Sequence, residues 1–227
     1  DTPLIETPQD KRWVYPTDYE WADLIDDQDK LRVIADPTSP YAINGAMALG
    51  RAMDDLIVTA ATGTSKTGED GSTSTSFPAG QTAGTTAGGL TVAKLREAMQ
   101  LLIAAEVDVD NEPLWCAIGA QQHDDLLGET QAISLDFTNK PVLVDGRIKA
   151  FMGFNFIDSQ RLALSGTDRT VITWAQSGLH LGIWNDISVQ ISDRADKSHS
   201  TQVYVKGTFG ATRVEEEKVV AITCSEA

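Results

Sequence analysis

Residues that could do chemistry are thinly spread along this chain of 227 residues. The run Gly63-Thr64-Ser65-Lys66-Thr67 has the residue types of a phosphate cradle, in which backbone N–H groups and a lysine grip the anion. That pattern needs a glycine directly before the lysine and a strand before the loop. Here Ser65 precedes Lys66, and a helical stretch precedes Gly63. Gly84, Gly88 and Gly89 likewise miss the dinucleotide spacing GxGxxG. Asp26, Asp27 and Asp29 suggest a calcium loop, but its central Gly and closing Glu are missing, and Lys30 and Arg32 intrude. His123 stands beside Asp124 and Asp125 with no Ser or Cys in a nucleophile elbow, so a solvated helix residue is expected there. His180 and His199 are isolated and make no HxxxH or HExxH set with His123. Cys116 and Cys224 sit in apolar runs without CxxC spacing, as buried thiols of a reducing compartment rather than a disulfide framework. The expectation is no catalytic residue, no metal and no cofactor, and so a structural protein rather than an enzyme.

The aromatic residues are less evenly placed. Trp13, Tyr15, Tyr19 and Trp21 are four of fifteen aromatics (5 Trp, 4 Tyr, 6 Phe), and all four have odd numbers. Period two puts the four rings on one face of an extended segment, and Pro16 makes it an edge or bulged strand. A core face, a protein interface and a nucleobase-stacking platform compete to explain them. Stacking comes last, because only Lys11 and Arg12 supply positive charge nearby.

Charge narrows the partners. The formal net charge is −15 and the sequence pI about 4.4. A duplex-binding protein needs a Lys/Arg stripe to displace counterions, so binding of that kind is not expected. Solubility by self-repulsion is the common reason for such a balance; an acidic wall that does not grip enclosed nucleic acid is another. With no run of about 18 apolar residues, no membrane-spanning segment is expected. The chain opens Asp1-Thr2-Pro3 with no initiator Met and no visible signal peptide, which suggests a front that was removed or a part of something longer.

The elements that position these residues begin with Ser39–Gly63. Ser39 reads as an N-cap with Pro40 at the first helical position, and Gly63 as a stop. Ile43, Ala46, Leu49, Met53, Leu56, Ile57 and Ala60 recur in steps of three and four, and small residues (Gly45, Ala46, Gly50) allow close approach. At 1.5 Å per residue the helix is roughly 33–36 Å long. It is either an ordinary core helix or a spine on which a sheet lies and about which subunits pack. Residues 63–89, nearly all Gly, Ser, Thr and Ala, read as a long mobile surface loop joining two subdomains. Thr91 caps a second helix with Val92, Leu95, Met99, Leu102 and Ile103 on one face. PLWCAIG (113–119) reads as a buried strand and 120–129 as a short helix. From Lys140 onward the pattern is nearly all strand, including FNFID, TVITWAQ and LHLGIW. In DISVQISD, Ile187, Val189 and Ile191 are expected to face inward and Ser188, Gln190 and Ser192 outward.

The order of these segments resembles a known family. RWVYPTDYEWADLIDDQDKLRVIADPTSPYAINGAMALGRAMDDLIVTAATGTS, GLTVAKLREAMQLL, PLWCAIGAQQHDDLL, VDGRIKAFMGFNFI and ATRVEEEKVVAI together look like the major capsid protein of a tailed double-stranded DNA bacteriophage, the Hong Kong 97-type shell fold. The resemblance implies an α+β protein with a long spine helix packed on an extended sheet, the peripheral domain, plus a mixed α/β axial domain. On this chain it implies a returning arm of the extended loop at 1–25, the peripheral domain at 26–89 and 186–227, and the axial domain at 90–185. It places Trp13, Tyr15, Tyr19 and Trp21 on the arm that reaches over an adjacent subunit, and so at a subunit interface. It implies many copies of the chain, as pentamers and hexamers, in an icosahedral or prolate head in the virion. Assembly in the host cytoplasm with scaffolding, portal and decoration proteins is part of that picture. The shell encloses double-stranded DNA without sequence-specific binding and without a membrane. Some relatives lock their shells with Lys–Asn crosslinks, and no such pair is placed here. An encapsulin-like cargo compartment and, from another class, a monomeric enzyme or adhesion module are the alternatives.

Overall fold

The structure is a computed structural model that describes residues 11–26, 38–84, 88–129, 143–144 and 147–226. The chain forms two compact units: residues 15–57 with 181–211, and residues 1–14 with 58–180 and 212–227. In chain order the first elements are β1 (Arg12–Trp13), β2 (Thr17–Ile25), α1 (Thr38–Thr62), β3 (Ser65–Thr67), β4 (Thr73–Thr75) and β5 (Thr82–Ala83). Next come α2 (Val92–Ala104), β6 (Leu114–Ile118), α3 (Ala120–Gly128), β7 (Leu143–Val144), β8 (Arg147–Ile148) and β9 (Ala150–Phe151). The last are β10 (Phe154–Asp158), β11 (Leu164–Ser165), β12 (Asp168–Ala175), β13 (Leu179–Arg194), β14 (Ser200–Arg213) and β15 (Val219–Ser225). Mixed helix and sheet is what the α+β expectation requires.

In the smaller unit a three-stranded sheet runs in the order β13-β14-β2. β14 alternates strictly, with Thr201, Val203, Val205, Gly207 and Phe209 buried and the residues between them half-exposed. The inward row meets α1, and the core is Ile25, Leu49, Val203, Val205 and Phe209, flanked by Tyr19, Trp21, Tyr41, Ala42, Met53, Leu56 and Ile187. Gly45 brings the helix and sheet together. A Cβ there would lie 2.6 Å from both Trp21 Cε3 and Val205 Cγ2. α1 begins at Thr38, one residue before the expected cap, because Pro40 is tolerated anywhere in a first turn whose N–H groups have no helical partner. It closes where Gly63 N donates to Thr59 O at 2.9 Å, and a Cβ on Gly63 would sit 2.4 Å from that oxygen. Leu49, Met53 and Leu56 of the expected stripe pack on the sheet, but its first member does not. Ile43 is 52% exposed, and Gly45 and Leu49 hold the sheet-facing line.

The larger unit is built on a seven-stranded sheet, β5-β15-β12-β6-β10-β9, with β11 beside β12. α2 buries Leu95, Ala98 and Leu102 in the associated core, while Ile103, expected on that face, is 56% exposed. Thr91 caps this helix by accepting from Lys94 N at 3.4 Å. Residues 63–84 correct the expected mobile loop. Ser65–Thr67 pairs with Thr73–Thr75 as a hairpin, β1 adds a third strand, and Ser65 and Thr67 are buried. β-branched Thr suits a pleated ladder well, so a polar composition did not mean loop.

Compactness divides the chain differently from the expected 1–25, 26–89 with 186–227, and 90–185. β15 pairs along its length with β12 (Ala221 opposite Ile172), and β5 pairs with β15, so 65–84 and 212–227 join the unit that holds 90–180. β2, α1 and the β13–β14 hairpin make up the other. Long-range strand pairing drew this boundary, and nothing local in the sequence encodes it.

Candidate assembly surface

The residues with chemical potential are drawn apart. Lys66 is on a hairpin strand and donates to Ser74 Oγ at 2.8 Å, so no phosphate cradle forms. Asp26 accepts from Ser200 Oγ at 2.7 Å; Asp27 and Asp29 lie outside the described residues. His123 is not merely solvated, since its Nε2 accepts from Ile148 N at 3.3 Å. Its neighbour Asp125 accepts from Leu90 N at 2.9 Å and fills the space where a side chain on Gly89 would go. These two side chains therefore fix separate places, β8 and the segment leading into α2. Both cysteines are buried in the seven-stranded sheet; burial pushes the Cys116 thiol up, and that of Cys224 to about 11, so neither is a ready nucleophile. His180 borders an open cavity of about 710 Å³ with Asp108 and Glu112, and hydrogen bonds from Asn111 hold the Asp108 carboxyl below its ordinary value. Among the described residues no group of three or more His, Cys, Asp or Glu could hold a metal ion.

The four early rings do not share one strand face. Trp13 lies in β1, opposite Lys66, and its indole N–H donates to Gly68 O at 2.9 Å. The chain leaves extended pairing at Val14–Pro16 and resumes in β2, which is an edge strand as Pro16 implied. Tyr19 and Trp21 point into the smaller unit. Tyr19 stacks on Phe209 (centroids 6.1 Å apart, 24° between planes), whose ring lies across Gly207. Trp21 packs on Gly45. Trp13 and Tyr15 remain 38% and 54% exposed.

A second apolar surface was not foreseen. Thr201 Oγ1 donates to Asp193 Oδ1 at 3.1 Å, so the odd-numbered residues of β13 share the sheet face of Thr201, Val203 and Val205. Alternation is thus as expected, but cover is not. Ile187 packs on the core, whereas Ile183, Val189 and Ile191, expected inward, are 53%, 42% and 55% exposed. On the other face Trp184 folds over Gly182 and is still half-exposed. β13 is an edge, with no Pro or Lys from Leu179 to Ser192 to guard it. Period-two hydrophobicity signals which way a side chain points, and cannot signal whether anything covers it.

A family model described as phage capsid protein matches residues 1–226. No curated protein matches the sequence. Among solved structures, the capsid asymmetric unit of cyanophage Pam1 is similar with a TM-score of 0.70 at 15% identity, covering 100% of this chain and 80% of that one. A structure from Mycobacterium phage Che8 gives 0.68 at 19% identity, covering 91% and 70%. The head structure of Helicobacter pylori bacteriophage KHP40 gives 0.67 at 11% identity, covering 94% and 76%. At these identities the likeness is one of fold.

Proposed function

The chain belongs to the phage capsid protein family, and on that footing we propose which of its surfaces builds the shell. It is a structural subunit of a phage head, present in many copies in the virion capsid, with the Hong Kong 97-type fold. The proposal is that β13 is a main contact between copies, with exposed Trp13 and Tyr15 contributing and Tyr19 and Trp21 serving the subunit's own core. The observation that carries it is the 16-residue edge strand on which Ile183, Trp184, Val189 and Ile191 are about half exposed. Exposed apolar area costs about 25 cal/mol per Å², and an open flat edge invites a further strand. In a monomer these are liabilities. In a closed shell they are the interface, where many modest contacts add through effective concentration. The reading extends to pentamers and hexamers, to assembly in the host cytoplasm with scaffolding, portal and decoration partners, and to enclosed double-stranded DNA that the acidic wall does not grip. It includes no catalytic turnover.

Electron microscopy of the full-length protein, expressed with its assembly partners, tests both levels. The wild type should give closed shells containing DNA rather than enzyme cargo. Ile183→Asp combined with Ile191→Asp should retain the far-UV spectrum and unfolding midpoint while giving no shells. Normal shells from the double variant would remove β13 from the interface, and a wild type that never forms shells would remove the capsid reading itself.

A further inference from the structure

Because residues 15–57 and 181–211 form one unit, the backbone leaves the larger unit at four places: after Val14, before Val58, after His180 and before Thr212. Within the larger unit, one short segment, 212–218, holds the chain near every one of these exits. Arg213 is fully buried, and its Nη1 donates to Gly63 O at 2.8 Å and Ala61 O at 3.0 Å. These oxygens lie at the C-terminal, electronegative end of α1, where a cation is favoured. The guanidinium also lies 5.2 Å from the Phe77 ring centroid and 3.5 Å from Glu216 Oε1. The other oxygen of Glu216 accepts from Arg12 Nη2 at 2.6 Å, two residues before the first exit. Val214 N donates to Gly178 O at 2.9 Å, two residues before the third, and a Cβ on Gly178 would meet Lys218 Cβ at 2.8 Å.

We infer that Arg213 and Glu216 are positioning residues for shell assembly: within the larger unit they lock the chain segments around Arg12, Gly63, Gly178 and Val214 to one another, so that every copy presents the same larger unit to its neighbours. The inference rests on the reading of this chain as a shell subunit. An ordinary buried ion pair would only raise global stability. A lock among these segments has a further consequence, because looseness within the larger unit is repeated in every copy and broadens the curvature at which the shell closes.

Arg213→Lys keeps the charge but loses the fork that reaches two carbonyls. Glu216→Gln keeps those carbonyl bonds and removes the counter-charge, and serves should the lysine variant not fold. In the unassembled subunit, amide exchange around Gly63–Lys66, Gly178–His180 and Arg213–Glu216 should accelerate about tenfold, the effect of losing one charge-assisted hydrogen bond, with α2 and α3 unchanged. The double variant should accelerate no more than the worse single one, since the two residues act as one unit. Shells of either variant should show a broadened diameter distribution in micrographs. Exchange that is unchanged, or raised equally throughout the chain, overturns the inference, as do variant shells of wild-type diameter. The exchange arm needs no shells, so it still decides if the capsid reading fails.

Discussion

Gly45 and Gly50 lie five residues apart on α1 and meet opposite demands. Replacing a helical glycine by alanine gains about 1 kcal/mol of helix propensity. At Gly45 the new methyl would sit 2.6 Å from the Trp21 and Val205 side chains, and overpacking of that kind costs about 1–3 kcal/mol. At Gly50 nothing lies within 4 Å. Denaturant unfolding of the subunit should therefore find Gly45→Ala destabilised and Gly50→Ala stabilised by about 0.5–1 kcal/mol. Two stabilised variants would mean that the sheet does not press on the helix at Gly45. Small residues at both positions were legible in the sequence; which of them a partner occupies was not. Arg213 is the harder case. A lone arginine in the strand-like run ATRV carries no local sign that the last carbonyls of α1 will converge on it.

At the scale of the element, α1 shows what periodicity settles. Steps of three and four predict the helix correctly, yet alanines at 42, 46, 48 and 52 leave two stripes of similar apolar content. Packing decided which members of the expected stripe are covered: Leu49 is 3% exposed and Ile43 is 52% exposed. Leu49→Ala should cost about 2–5 kcal/mol by the cavity it leaves, and Ile43→Ala less than about 0.5 kcal/mol in the isolated subunit. Thermal unfolding of the two variants side by side checks this, and equal losses would place the helix in a different rotation. The hairpin of β3 and β4 makes the converse point. Its Ser/Thr composition matched a loop, but the ladder satisfies the backbone and buries Ser65 and Thr67.

For the whole molecule, charge is the longest-ranged quantity. Each copy carries −15 formally, so bringing copies together works against self-repulsion. Raising ionic strength from about 0.01 to 0.1 M shortens the screening length from about 30 to 10 Å. The protein concentration at which light scattering first reports shells should then fall, most steeply over that range. A threshold that is constant or rises with salt would show that apolar contact alone governs assembly. The two-unit division belongs to this scale too, because it follows from β15 lying against β12, residues more than forty positions apart in the chain.

The sequence by itself determined the order and type of most elements and the family resemblance, because periodicity, caps and turn residues act over a few neighbours. Tertiary structure alone decided which apolar faces are covered, which unit β15 joins, and that Tyr19 and Trp21 turn inward while Trp13 and Tyr15 stay exposed. Those outcomes depend on what lies opposite a side chain in space, and strand pairing across more than a hundred residues supplies that.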